Sequence, residues 1–181
     1  SEKKFRSLSE STPDIIYTID TRGIFTYVNP AWERILGYSN EEVIGRHFID
    51  FVRKDEIPLY IRMFKSIRDE GITVRDQIGT LINKDETDRF FSISGAPVLD
   101  SEGRTTGVVG TFKDVTERKL AEVKLEGERA FLRQVVDAVP SFISVRDAEG
   151  RFQLANKSLA KVCRTTPDRL IGKTLANFNP N

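Results

Sequence analysis

The sequence has little of what metal sites, disulfides and nucleophilic centres are made from. Its 181 residues include one cysteine, one histidine, one methionine and one tryptophan. A single cysteine, Cys163, excludes an internal disulfide and any all-cysteine metal site. A single histidine, His47, excludes the common two- and three-histidine metal sites. The two leave a Cys/His pair as the only cheap nucleophilic arrangement. Cys163 falls on a predicted helix with no histidine near it in sequence, so it reads as a small buried hydrophobe. Net charge is also scarce: 28 Lys plus Arg against 27 Asp plus Glu give +1. That balance argues against a nucleic-acid partner, which needs clustered positive charge. No segment approaches the ~20 apolar residues that span a bilayer, so no direct membrane contact is expected. The opening S-E-K-K-F-R has no apolar core of a secretory signal, and a cytoplasmic location is expected. The chain reads as a piece of a longer protein. No G-x-x-x-x-G-K-[ST] or G-x-G-x-x-G phosphate loop occurs. No spacing sets two carboxylates apart for acid/base work. Catalysis within this chain is not expected.

What is present is an ordinary globular composition, 39% hydrophobic and 30% charged. It is organised by an internal repeat. At an offset of 127, without a gap, Pro13, Ile16, Asp20, Gly23, Phe25, Asn29, Ile44, Gly45 and Phe51 recur as Pro140, Ile143, Asp147, Gly150, Phe152, Asn156, Ile171, Gly172 and Phe178. Several are structural punctuation. Asp20-Thr21-Arg22-Gly23 and Asp147-Ala148-Glu149-Gly150 each separate two alternating apolar runs, a hairpin signal. Asn29-Pro30 reads as a helix N-cap followed by proline at the first helical position.

In the first copy, 15–20 and 24–29 read as strands and 30–37 as a short helix. Ser39 to Glu42 fits a capping box opening another. Residues 55–70 place Ile57, Ile61, Phe64 and Ile67 at helical spacing, with Pro58 tolerable in the first turn. Strands are expected near 72–82, 89–99 and 104–115, joined by short polar links. Strands grouped at both ends around a run of helices imply an α+β class, with an antiparallel sheet and helices on one face. From 116 to 139 a long helix is expected. Ala121, Leu125, Glu128, Leu132, Val135 and Val139 follow a 4, 3, 4, 3, 4 spacing, a heptad seam that Glu128 breaks. Nine of the eighteen residues from Thr116 to Arg133 are charged, so only a narrow stripe can be buried. A narrow stripe favours pairing with a second helix in a coiled-coil homodimer. The alternative is a helix lying on its own domain.

These features resemble the PAS domain family, the small sensory modules of bacterial signalling proteins. The resemblance rests on P-D-I-I-Y-T-I-D-T-R-G-I-F-T-Y-V-N-P-A at 13–31, G-Y-S-N-E-E-V-I-G-R at 37–46 and the closing D-V-T-E-R-K at 114–119. It implies a five-stranded sheet in spatial order 2-1-5-4-3, with helices covering a pocket on the concave face. It also implies a cap helix at 1–12, a complete domain at 13–115, a signalling linker helix at 116–139 and the first half of a second domain at 140–181.

The same resemblance frames the cofactor question. The flavin-binding photosensory branch carries G-R-N-C-R-F; here Gly45-Arg46-His47-Phe48-Ile49-Asp50 puts Phe48 where the reactive cysteine stands. That branch holds the flavin edge with amides at positions matched here by Leu81, Phe91 and Phe112, which cannot hydrogen-bond it. The haem branch has an axial histidine on the long helix, where this chain has Tyr60. Flavin and haem are therefore disfavoured and no cofactor is expected. His47 reads as solvent-exposed or capping. A pocket lined by Ile61, Phe64, Leu81, Phe91, Ile93 and Phe112 remains. It either simply fills a core or takes an unidentified small molecule. Asp114, Val115 and Thr116 are expected to form a joint between the last strand and the linker helix, as a signal-transmission element or as ordinary N-capping. Asp85-Glu86, where the family often has Asp-Gly, implies an altered turn between the third and fourth strands. The expected function is a sensory module acting through a dimeric helix on an output domain in the same protein, a histidine kinase before a cyclic-dinucleotide enzyme. The alternative is a ligand-free dimerisation and spacer module.

Overall fold

The computed structural model describes residues 9–178. The chain divides into two compact units, Ser1–Lys119 and Leu120–Asn181. Of the cap helix expected at 1–12, residues 1–8 lie outside the described residues, and 9–11 are helical.

The first unit opens with strands β1 (Ile15–Asp20) and β2 (Phe25–Val28). Short helices α1 (Ala31–Leu36) and α2 (Asn40–Val43) follow, then 3₁₀ turns at Phe48–Phe51 and Lys54–Glu56. Helix α3 (Ile57–Glu70) leads into the meander β3 (Val74–Ile82), β4 (Asp88–Leu99) and β5 (Thr105–Asp114). The five strands form one antiparallel sheet in the order β2-β1-β5-β4-β3. Alternation decides which face is buried. Ile15, Tyr17 and Ile19 of β1 and Phe91 and Ile93 of β4 point inward, while their neighbours do not. Helix α3 returns a matching stripe of Tyr60, Phe64 and Ile67, spaced 4 and 3, onto that face. Trp32, Phe25 and Phe51 close the other end in edge-on ring contacts of 4.9–5.8 Å. Each such ring removed from water contributes about 1.5–3 kcal/mol. Helices α1 and α3 stop where Gly37 and Gly71 turn left-handed, at φ +80° and +68°.

Four hairpin loops share one backbone. Asp20, Asn83, Asp100 and Asp147 each donate N–H to the carbonyl four residues on, at 2.8–2.9 Å. Each also accepts from the N–H three residues on, at 2.9–3.0 Å. The last loop residue takes positive φ: Gly23 +84°, Gly103 +77°, Gly150 +79° and, in the β3–β4 link, Glu86 +66°. The altered turn expected from Asp85-Glu86 is therefore not found. The same turn forms, and glutamate bears the left-handed strain that glycine avoids.

Helix α4 runs over Thr116–Ala138. The second unit continues with β6 (Ser144–Arg146) paired antiparallel to β7 (Phe152–Ala155). Helices α5 (Lys157–Val162) and α6 (Pro167–Leu170) follow, then a 3₁₀ turn at Leu175–Phe178. Its small core holds Phe152, Ala155, Leu159, Ala160 and Leu170. Cys163 is half-buried against it.

The repeat extends to side-chain hydrogen bonds. Asn29 Oδ1 accepts the Ile16 N–H, and its Nδ2 donates to the carbonyls of Ser9 and Asp14. At the same offset of 127 residues, Asn156 Oδ1 accepts the Ile143 N–H, and its Nδ2 donates to Val136 and Ser141. The expected N-cap role for Asn29 needs correction. Helix α1 begins at Ala31 with Pro30 as its N-cap, and the Asn29 amide ties the preceding segment to β1. Only Asn156 also caps, accepting from Leu159 N–H.

Candidate functional site

Between α3 and the sheet lies a cavity of about 40 Å³. Of the six pocket residues expected from the sequence, Phe64, Leu81, Ile93 and Phe112 line it. The other two do not. Phe91 is wholly buried in the core, and Ile61 packs at the core margin, half-buried. Phe91 pairs with Gly79 and Ile93 with Phe112, so β3, β4 and β5 are locked in register.

Two phenols were missed as pocket residues. Tyr17 and Tyr60 both line the cavity. Their positions follow from glycines opposite them. A Cβ on Gly79 would lie 2.5 Å from the Tyr60 hydroxyl and 2.7 Å from Ile93 Cδ1. A Cβ on Gly110 would lie 2.5 Å from the Tyr17 hydroxyl. The rings thus occupy space that a side chain would fill. The signal in the sequence was glycine inside a strand, which marks a close approach. Burial pushes both phenols well above the ordinary tyrosine range, so both are neutral at any physiological pH. Tyr17 stacks on Phe112 at 4.4 Å, and Phe48 meets Phe64 at 5.3 Å. Phe48, at the position of the flavin-reactive cysteine, is another cavity residue. His47 caps the first 3₁₀ turn, its Nδ1 accepting from Ile49 N–H at 3.3 Å. Tyr60 lies on the apolar face of α3, and no group of three or more potential metal ligands exists among the described residues.

The second constellation is the joint. Asp114 Oδ1 accepts the Thr116 N–H at 2.9 Å, and Asp114 Oδ2 accepts from Arg89 Nη1 at 2.9 Å. Thr116 Oγ1 accepts the Phe90 N–H at 3.0 Å, and Val115 N–H donates to the Phe90 carbonyl at 2.9 Å. The three joint residues therefore meet, and they grip β4 as well as capping α4. Arg89 and Phe90 were not foreseen, because their role depends on strand register and leaves no local pattern.

The seam residues are placed differently. Ala121, Leu125, Leu132 and Val135 lie on α4, which buries none of its residues; Leu125 is 48% exposed and Leu132 60%. Val139 falls one residue past the helix, and its carbonyl accepts from Ser158 Oγ at 3.0 Å. No helix among the described residues is long and apolar enough to cross a membrane.

Comparison with known proteins agrees with this geometry. The family model described as PAS fold matches residues 3–115 and 130–181. Sporulation kinase C of Bacillus subtilis is 27% identical over 134 residues, covering 69% of this chain and 30% of the kinase. The methanogenesis regulatory histidine kinase FilI of Methanothrix harundinacea is 25% identical over 131 residues, covering 69% of this chain and 14% of that protein. The chain thus spans less than a third of these relatives. Among solved structures, the PAS domain of a Colwellia psychrerythraea protein superposes with a TM-score of 0.59 at 18% identity, covering 64% of this chain and 98% of that one. The sheet order, the helix-covered cavity and the family match agree: this chain belongs to the PAS fold family.

Proposed function

We propose that the chain is the sensory segment of a cytoplasmic signal-transduction protein. The observation that carries this reading is a shared pair of strands. Phe112 lines the cavity, and Asp114 of the joint stands two residues later on β5. On β4, Ile93 lines the cavity opposite Phe112, while Phe91 stands opposite Asp114. A change in cavity packing therefore has one rigid, two-residue path to the bonds that hold the start of α4. A ligand acts by binding one arrangement of that joint better than another. Helix α4 then changes its pairing in a homodimer, through the stripe containing Ala121, Leu125, Leu132 and Val135. The signal passes to an output domain of the same protein, a histidine kinase as in the relatives above. This segment itself performs no catalysis.

Native mass spectrometry of the purified chain tests the sensory reading. Small molecules retained in the native spectrum and lost on unfolding support it. Strict absence of any retained or added ligand, with dimerisation intact, favours a dimerisation and spacer module.

A further inference from the structure

Two buried side-chain polar atoms among the described residues lack a hydrogen-bond partner: Trp32 Nε1 and Tyr60 Oη. They differ in setting. Trp32 is packed among Phe25, Phe51 and Phe112 and does not line the α3–sheet cavity. Tyr60 does line it, and the residue is only 5% exposed. Its hydroxyl rests over Gly79, beside Ile93 of the cavity wall. Burying a hydroxyl without a partner costs about 1–3 kcal/mol. Phenylalanine at position 60 avoids that penalty with the same ring, so the hydroxyl calls for an explanation.

The rest of the wall limits what the partner can be. Every lining residue is uncharged; the polar atoms offered by side chains are the two phenols and the Met63 sulfur. An anion has no counter-charge there, and burying it unpaired is far costlier than burying a neutral polar group. Water is a poor occupant too, because a buried water normally makes about three hydrogen bonds. Size supplies the last limit. At about 40 Å³ the cavity is small, so it admits only a small molecule.

We propose that this cavity binds a small neutral molecule with an apolar body and one hydrogen-bond acceptor held by Tyr60 Oη. Short ketones, aldehydes and alcohols belong to this class. The inference rests on the sensory-pocket reading above and adds the ligand's chemistry to it. Tyr60 donates, Ile93, Leu81 and Phe112 enclose the apolar body, and Phe64 and Met63 close it from α3.

Three probes of one planar shape separate the chemistry: acetone, isobutene and acetate. Each is titrated into the whole chain and followed by backbone amide chemical shifts. Acetone should move the amides of Leu81, Ile93 and Phe112 along one saturable curve, and acetate should not. Tyr60→Phe should weaken acetone by about tenfold or more, the worth of one good hydrogen bond plus the relieved penalty, and leave isobutene within about twofold. Should the variant lose its native spectrum, the wild-type preference for acetone over isobutene, corrected for each probe's water-to-hydrocarbon transfer, gives the same answer. Isobutene binding with no such preference, or no effect of Tyr60→Phe, overturns the acceptor chemistry and leaves the ligand-pocket reading standing. Acetate binding as well as acetone overturns neutrality. Binding of none of the three overturns both.

Discussion

Asn156 shows how much one side chain can hold. Wholly buried, it accepts from Ile143 and Leu159 and donates to Val136, Val139 and Ser141. One of those acceptors, the Val136 carbonyl, lies in the last turn of α4, where carbonyls have no intrahelical partner. Asn156→Ala should therefore strand several buried groups and cost about 1–3 kcal/mol within the second unit. Hydrogen exchange checks this: amides of Phe152–Ala155 should exchange faster while those of β1 and β5 hold their rates. At this scale the sequence was partly legible. Asn29 and Asn156 stood out as a repeated pair, yet their partners did not, because Asn29 followed by Pro30 reads locally as a helix cap. Phe64 was legible from helical spacing, and Leu81 and Phe112 from the resemblance to the flavin-binding branch. Tyr17 and Tyr60 were not, since a tyrosine in an amphipathic element carries no mark of which end is buried. Gly79 and Gly110 were the clue, and it required knowing the cross-strand neighbours.

Elements were more legible than residues. The strand and helix positions fall within a few residues of those expected, since period-2 and period-3.6 patterns are set by the sheet and by the α3 stripe. The turn between β3 and β4 was misjudged for a physical reason. Two strands fixed in register by Leu81–Arg89 and Ile82–Asp88 impose the loop, and the loop residue conforms. Glu86 accepts φ +66° instead of changing the turn. Glu86→Gly should then stabilise the first unit by about 0.5–1 kcal/mol, the left-handed strain relieved less the extra chain entropy of glycine. Urea unfolding should show a higher midpoint with an unchanged slope. A drop in the midpoint would mean that the Glu86 side chain supplies a contact worth more than the strain. The joint is an element-level feature of the same kind. Asp114 and Thr116 were legible as caps, but their grip on Arg89 and Phe90 comes from β4 lying beside β5.

For the whole molecule, the repeat carried the most information, because a gapless offset is insensitive to errors in any one element. It pointed to related folds in both halves, and the family match covers both. Helix α4 leaves Leu120, Val123, Leu125, Phe131, Leu132 and Val135 exposed, an apolar content unusual for a free surface helix. Pairing of two copies removes that surface from water. Light scattering should give twice the chain mass for the native sequence and a single chain mass for Leu125→Arg with Leu132→Arg. An unchanged mass in the double variant would exclude α4 as the dimer contact. The central claim is that the cavity and the joint are coupled through β4 and β5. Amide hydrogen exchange at Val115 and Thr116 tests it most directly, because those N–H groups make the bonds to Phe90 and Asp114 that anchor α4. With the cavity saturated by acetone, the account predicts that both rates change several-fold together with those of Leu81 and Ile93. Response at Leu81 and Ile93 with Val115 and Thr116 unmoved would contradict it.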